Sequence, residues 1–383
     1  MIASQRHKFC IPSDVHYINC AYMSPLLKQV EQVGIESVRM KSAPWRIDVE
    51  TFYEPLEKLR RLAGRLVNAP ADQVAVIPAV SYGIAIAANA TILRRGQNLV
   101  VPGEEFPSVI YAWRERCRAT GARMRMVSRP EKHAGRGATW NQRLLDSIDA
   151  HTAVVALSSA HWTDGTVFDL EAIGTRAREV GAVFIVDGTQ TVGALAFDFS
   201  SVQPDVLVCA GYKWLMGPYS LGVAVFGKRF LDAEPLEHNW IARENSQDFA
   251  NLVNYRDEFQ PGARRFDVGE RSNFVLVPML TAALEQVLEW GPTAVQEYCQ
   301  QLGDQLEDLL DGSHFRMTST SERAAHLFGI RNVDRAVLPS IQQELERRNV
   351  YVSLRSDAVR VSPHLYNDEA DIAALAEAIK QKF

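Results

Sequence analysis

The chain has 383 residues, 47% apolar and 23% charged, which suits a soluble protein with a large core and room for two domains. A net charge of −5 without a long basic run does not favour nucleic-acid binding, and no apolar stretch reaches membrane-spanning length. Five scattered cysteines with no CxxC pair suggest neither a metal site nor a disulfide framework; with the polar start MIASQRHKFC, they fit a reducing, cytoplasmic setting.

Residues 1–15 read as an N-terminal arm. HYINCAYMSP, residues 16–25, reads as a short strand into a turn, with Ser24-Pro25 capping a helix to about Lys41. Phe52, Leu56, Leu59, Leu62, Ala63 and Leu66 then recur on one helical face. A strand from Val74 to Ile77 leads to Ala79-Val80-Ser81-Tyr82-Gly83, which opens an alanine-rich helix. N–H groups at a helix start favour an anion, and the same chemistry lets Ser81 serve as a plain cap. The strand Asn98-Leu99-Val100-Val101 precedes PGEEFPSVIYAW, with Phe106 at a strand-to-helix junction. An aromatic there is either a core residue or a flat stacking face. A polar loop covers 129–139, a helix 140–149, a strand Ala153 to Leu157, and a helix Asp169 to Val180.

The centre of the chain follows. The apolar run from Val183 to Val186 ends at Asp187, and the run from Val206 to Cys209 leads into Gly211-Tyr212-Lys213. Short β-branched runs bounded by turn residues read as buried strands. Each delivers a charged side chain to a strand end, where ligands bind in open α/β sheets. Taken singly, the acid is a turn former and the lysine a solvated charge. Together they suggest pyridoxal phosphate, with the lysine amine forming the Schiff base and the acid pairing with the pyridinium nitrogen. Gly222 to Phe226 reads as the next strand. From about 276 come helices 276–290 and 294–310, a strand near 326–330, a helix near 338–348, strands 350–354 and 359–362, and a closing helix from Asp368. Alternating strands and helices imply a mostly parallel sheet covered on both faces.

In combination these segments resemble the class V aminotransferase family of PLP-dependent enzymes, fold type I, which includes cysteine desulfurases, kynureninases and isopenicillin-N epimerase. Asp187-Gly188-Thr189-Gln190 resembles the Asp-x-x-Gln of desulfurases, whereas Tyr212-Lys213 and Phe106-Pro107-Ser108 resemble kynureninases. The resemblance covers nearly the whole chain. It implies an α/β fold with a large PLP-binding domain, 16–265, built on a mostly parallel seven-stranded sheet that Gly222 to Phe226 closes as an antiparallel neighbour, and a smaller C-terminal α+β domain, 266–383.

The resemblance also implies roles. Val80 and Ser81 hold the cofactor phosphate, Phe106 stacks on its ring, and His161, standing where relatives carry asparagine, donates to its phenolic oxygen. Asp187 meets the ring nitrogen, Gln190 and Tyr212 contact the cofactor, and Lys213 attaches it and moves protons. Trp240 and the segment RRFDVGERSNFVLVP reach the neighbouring site of a homodimer with shared active sites; Glu270 stands where desulfurases have threonine, so the phosphate contact there passes to Ser272 or to backbone. Arg360 binds the substrate α-carboxylate through its planar fork. Asn19 and Ala21 either line the substrate pocket or belong to a structural arm.

Such a site acts on a small α-amino acid, and three outcomes are open: loss of a β-substituent, amino transfer, or epimerisation. Desulfurases carry a persulfide-forming cysteine before the carboxylate arginine; here VYVSLRSDAVR has none. The expectation is therefore a β-elimination-type C–S or C–C lyase without a persulfide cysteine, with a class V aminotransferase or an amino-acid epimerase as alternatives. Intact Asp187, Lys213 and Arg360 argue against a PLP-binding scaffold without activity.

Overall fold

The computed structural model describes residues 2–131, 135–332 and 338–380. Of the polar loop expected over 129–139, residues 132–134 lie outside the described residues. The strands, in chain order, begin with a short β1 (His16–Tyr17). Seven more follow: β2 (Val74–Ile77), β3 (Asn98–Pro102), β4 (Arg123–Val127), β5 (Thr152–Ser158), β6 (Val183–Asp187), β7 (Val206–Ala210) and β8 (Gly222–Phe226). Those seven form one sheet in the order β2-β8-β7-β6-β5-β3-β4. Strands β7, β6, β5, β3 and β4 are parallel, and β8 runs antiparallel to both of its neighbours.

The apolar runs become strands because both faces of the sheet are covered. Every residue of β2, β3, β6, β7 and β8 is buried. One face packs Ala75, Val101, Ile185 and Val208 against Ile84 and Trp113 of helices Val80–Ala90 and Pro107–Thr120. The other packs Val155, Val186 and Leu207 against Leu59, Leu144, Ile173 and Leu280 of four further helices. Full burial of each such side chain contributes about 1.5–3 kcal/mol.

Two local expectations are corrected, and one strand was not expected. Strand β8 does not close the sheet; it lies second from the edge, and β2 pairs outside it. Strand β4, RMRMV, is an added edge, whose exposed Arg123 and half-buried Arg125 hide the strand pattern while discouraging edge-to-edge pairing. The first long helix starts at Lys28 rather than at Ser24-Pro25. Ser24 is used elsewhere: its N–H and Oγ both donate to Tyr212 O, at 3.0 and 3.3 Å.

A second sheet, antiparallel and in the order β12-β13-β10-β9, is built from β9 (Phe315–Met317), β10 (Phe328–Asn332), β12 (Ser353–Arg355) and β13 (Ala358–Val361). It shares a core with helices Pro292–Leu310, Leu338–Arg347 and Glu369–Lys380. Elements on either side of residue 266 cross between the two cores. Strand β1 pairs in parallel with β11 (Val350–Tyr351), and Ile18 packs in the smaller core. Helix Leu276–Trp290 packs in the larger core. Among the described residues no helix is long and apolar enough to cross a membrane.

Candidate active site

Strands β5, β6 and β7 are parallel, so their carboxyl ends open on one side of the sheet. Register places Ser158 beside Asp187 and Asp187 beside Val208. The chain leaves β7 through Gly211, whose N–H donates to Leu221 O at 2.9 Å, and curls back so that Gly217 N–H meets Gly211 O at 2.9 Å. A Cβ on Gly211 would stand 2.5 Å from Leu221 O, so only glycine fits this closure. Lys213 is carried inward by the loop and is 7% exposed.

A cavity of about 290 Å³ lies at these strand ends, walled by Val80, Ser81, Phe106, Asp187, Gln190 and Lys213, with Tyr212 and Ser158 beside them. Val80 and Ser81 open helix Val80–Ala90, where N–H groups have no intrahelical acceptor. The Lys213 amine stands 5.7 Å from the ring centres of both Phe106 and Tyr212. Asp187 accepts from Thr189 N–H at 2.9 Å. Gln190 is fixed from both sides: its Nε2 donates to Ala21 O at 3.2 Å and its Oε1 accepts from Trp214 Nε1 at 2.9 Å.

A second cavity, about 350 Å³, shares Phe106, Gln190, Tyr212 and Lys213 with the first and adds Ala21 and Arg360. Arg360 lies on β13, opposite Ser353 of β12. Its guanidinium donates to Trp162 O at 3.0 Å and weakly to Ser353 Oγ at 3.4 Å, and its Nε has no partner. Among the described residues it forms no ion pair, although it is buried. A buried guanidinium with a spare donor facing a cavity is suited to an incoming carboxylate.

Burial governs the charges. It raises Asp187 to about 6, with Thr189 pulling down, Glu105 pushing up and Lys213 pulling down. It lowers Lys213 to about 8, helped by the Arg360 cation and opposed by Asp187. Arg360 falls to about 9 through burial and the neighbouring Arg355.

Four expected residues line neither cavity. His161 is fully buried, with Nδ1 2.8 Å from Thr163 Oγ1 and Nε2 3.2 Å from Gly103 O. Its ring packs on Trp140, and the next residue, Trp162, faces both cavities instead. Asn19 accepts from Ser353 Oγ at 2.9 Å and so braces the hydroxyl that meets Arg360. Trp240 is 42% exposed and packs against Phe52 and Phe249. Ser272 Oγ donates to Phe52 O at 2.7 Å.

The sequence reading also missed residues. Glu105 is buried; Oε1 accepts from Phe106 N–H at 2.7 Å and Ser158 Oγ at 2.6 Å, and Oε2 accepts from Ser158 N–H at 2.7 Å. It thereby ties the aromatic wall to the strand end. Trp162 and Arg355 were passed over as well. The signal available was the uninterrupted Glu104-Glu105 before an aromatic, in a strand-end turn where unpaired acids are costly.

These residues fit pyridoxal phosphate on their own chemistry. An amine of lowered basicity, a dry carboxylate, an aromatic wall and a helix N-terminus border one cavity. Among the described residues no cluster could hold a metal ion.

Comparison with known proteins agrees. A model of the Aminotransferase class-V family matches residues 48–375. The uncharacterized aminotransferase YcbU of Bacillus subtilis is 23% identical over 360 residues, covering 91% of this chain and 88% of its own. A probable cysteine desulfurase of Methanothermobacter thermautotrophicus is 24% identical over 345 residues, covering 85% and 83%. The fold matches C-DES at a TM-score of 0.85 in two solved structures. One is a lysine mutant with glycine covalently linked to the PLP cofactor, 20% identical over 98% of this chain and 99% of that one. The other is a complex of the cystine C–S lyase with its product cysteine persulfide, 19% identical over 96% and 98%. A match over so much of the chain, on a fold that brings Lys213 and Asp187 to one cavity, settles the family: the chain belongs to the class V aminotransferases and is a pyridoxal phosphate-dependent enzyme.

Proposed function

We propose that this enzyme is a β-elimination-type lyase that breaks a C–S or C–C bond of a small α-amino acid without a persulfide cysteine. The observation that carries the reading is the pair of cavities that share wall residues, with Lys213 in both, Arg360 in the second and no cysteine on either wall. Of the four buried cysteines, Cys20 and Cys209 come nearest, and burial pushes both thiols far up, away from the reactive thiolate. The C–S lyase activity named for C-DES supports the same class.

Bound pyridoxal phosphate supplies an electron sink for the pair left at Cα. The chain's own residues do the rest. Lys213 holds the cofactor covalently, and its amine, once freed, takes the Cα proton; lowered to about 8, it is partly neutral near neutral pH. Asp187 keeps a proton on the ring nitrogen, Val80 and Ser81 offer N–H groups to the phosphate, and Phe106 covers the ring. Arg360 fixes the α-carboxylate, with Ala21 on the wall beside it. The pair left at Cα would then form a Cα–Cβ double bond as the bond from Cβ to the leaving group breaks, the pair of the broken bond departing with that group.

We further infer a homodimer in which Trp240 and Ser272 serve the partner's site. Support comes from the half-exposed aromatic patch of Phe52, Trp240 and Phe249, onto which Ser272 is bonded. Sedimentation under assay conditions tests it; an active monomer would overturn it.

The reaction class is tested on the purified holoenzyme with amino acids bearing a leaving group at Cβ. Pyruvate and ammonia should form together with no keto-acid acceptor present. Turnover only with an added keto acid would mean amino transfer, and inversion without release would mean epimerisation; either replaces the lyase reading.

A further inference from the structure

The substrate cavity holds one cation more than an α-carboxylate needs. Arg355 and Arg360 both line it. The small sheet explains why. Ser353 pairs with Arg360 and Arg355 pairs with Ala358, so β12 and β13 present Ser353, Arg355, Ala358 and Arg360 on one face. Arg355 and Arg360 are therefore diagonal neighbours, with Cβ atoms about 7 Å apart. The hairpin turns through Ser356, at φ 52°, directly after Arg355.

Trp162 organises both cations. Its carbonyl accepts from Arg360 at 3.0 Å, and its ring lies 5.8 Å below the Arg355 guanidinium. Trp162 is itself held by Nε1, which donates to Glu104 O at 2.7 Å. The Arg355 side chain donates to Leu354 O at 2.8 Å. Among the described residues Arg355 has no ion pair; the nearby Asp357 is taken by Arg129 and Arg331. With Lys213, three cationic side chains face this cavity, and no carboxylate lines it. A surface arginine would find its counter-ion in solvent, but a partly buried one stacked on an indole is positioned to meet an anion.

We propose that Arg355 is a second anion-binding residue of the substrate cavity and that the substrate's side chain ends in a second carboxylate. The inference rests on the reading in which Arg360 holds the α-carboxylate and Lys213 lies at the amino group. It adds that the group leaving Cβ carries an acid. Neutral amino acids would occupy the cavity with Arg355 unpaired.

The test uses equilibrium binding to the holoenzyme, so that it does not depend on turnover. The probes are straight-chain α,ω-dicarboxylates and monocarboxylates of equal length, which have no amino group to react. Wild type should bind the best dicarboxylate about tenfold or more tightly than its monocarboxylate partner, the return expected of one charge-assisted pair. Arg355→Gln should erase that preference, weakening dicarboxylate binding far more than monocarboxylate binding, while Arg355→Lys should restore part of it. Absence of the preference in wild type, or its persistence in Arg355→Gln, overturns the proposal. Equal weakening of both acids with a lower Tm also overturns it, because Arg355 would then only brace the hairpin. Failure of the lyase reading shows separately, as keto-acid-dependent turnover, and does not alter this binding difference.

Discussion

Asp187 and Lys213 line one cavity and stabilise each other's charge, yet burial outweighs that attraction for both. Asp187 stands at about 6, above the usual carboxylate range, and Lys213 at about 8, below the usual amine range. The site thus keeps an acid and a base poised near neutral pH, the condition for moving protons efficiently.

Lys213 sets the first pH dependence. Only its neutral amine attacks an aldehyde, so capture of pyridoxal phosphate by the apoprotein should accelerate as pH rises through about 8 and then level off. The Arg360 cation lowers this group, so Arg360→Ala should move the midpoint upward. Stopped-flow absorbance checks both; a midpoint near the ordinary lysine value, about 10.4, in wild type would contradict the first.

The same depression bears on stability. A group lowered on folding contributes its stability above the unfolded pKa and loses it as pH falls through the folded one, here about 8. Lys213→Met should therefore abolish the borohydride-sensitive visible band and turnover while raising the apoprotein Tm near pH 7, and the gain should shrink toward pH 10. Retained turnover, or a lower Tm at pH 7, would contradict the prediction.

Asp187→Asn should keep the cofactor bound but lower kcat by orders of magnitude, since an amide cannot hold the ring nitrogen protonated. A near-normal kcat would remove that role from Asp187.

Arg360→Ala should leave the cofactor's absorbance band in place and weaken amino-acid turnover. Loss of a charge-assisted contact in a desolvated site costs roughly 2–5 kcal/mol, on the order of 30- to several-thousand-fold in kcat/KM. Lysine should rescue in part, because an ammonium lacks the fork. If Ala weakens carboxylate-bearing and decarboxylated substrates alike, Arg360 is only a brace between the two sheets.

Glu105→Gln should destabilise the cavity wall. Three donors, from Phe106 and Ser158, converge on the two carboxylate oxygens, and an amide offers only one acceptor. Leaving a buried donor unmet costs about 1–3 kcal/mol. A lower Tm with weaker cofactor binding is expected, and calorimetry on holo and apo forms measures both. An unchanged Tm would show that the network relaxes.

Arg360 was legible in the sequence only through the resemblance of its segment to the family; Asp187 and Lys213 were legible because each follows a short β-branched run, which places it at a strand end. The mostly parallel sheet was legible for the same reason: buried strands must be apolar throughout. Strand β4 escaped because an exposed edge selects arginine over valine, which erases the pattern. His161 and Trp162 show a different limit. Adjacent residues in a turn compete for the cavity, and only packing decides; Trp140, Thr163 and Gly103 enclose the imidazole, so the indole faces out. Arg355 joined the site through a cross-strand diagonal, and Glu105 through hydrogen bonds to a strand some fifty residues away. Local sequence thus determined which segments are strands and which charges end them, because those choices depend on a few neighbouring residues. Which side chains meet in one cavity was decided by sheet register and by the docking of two cores, contacts between residues far apart in the chain.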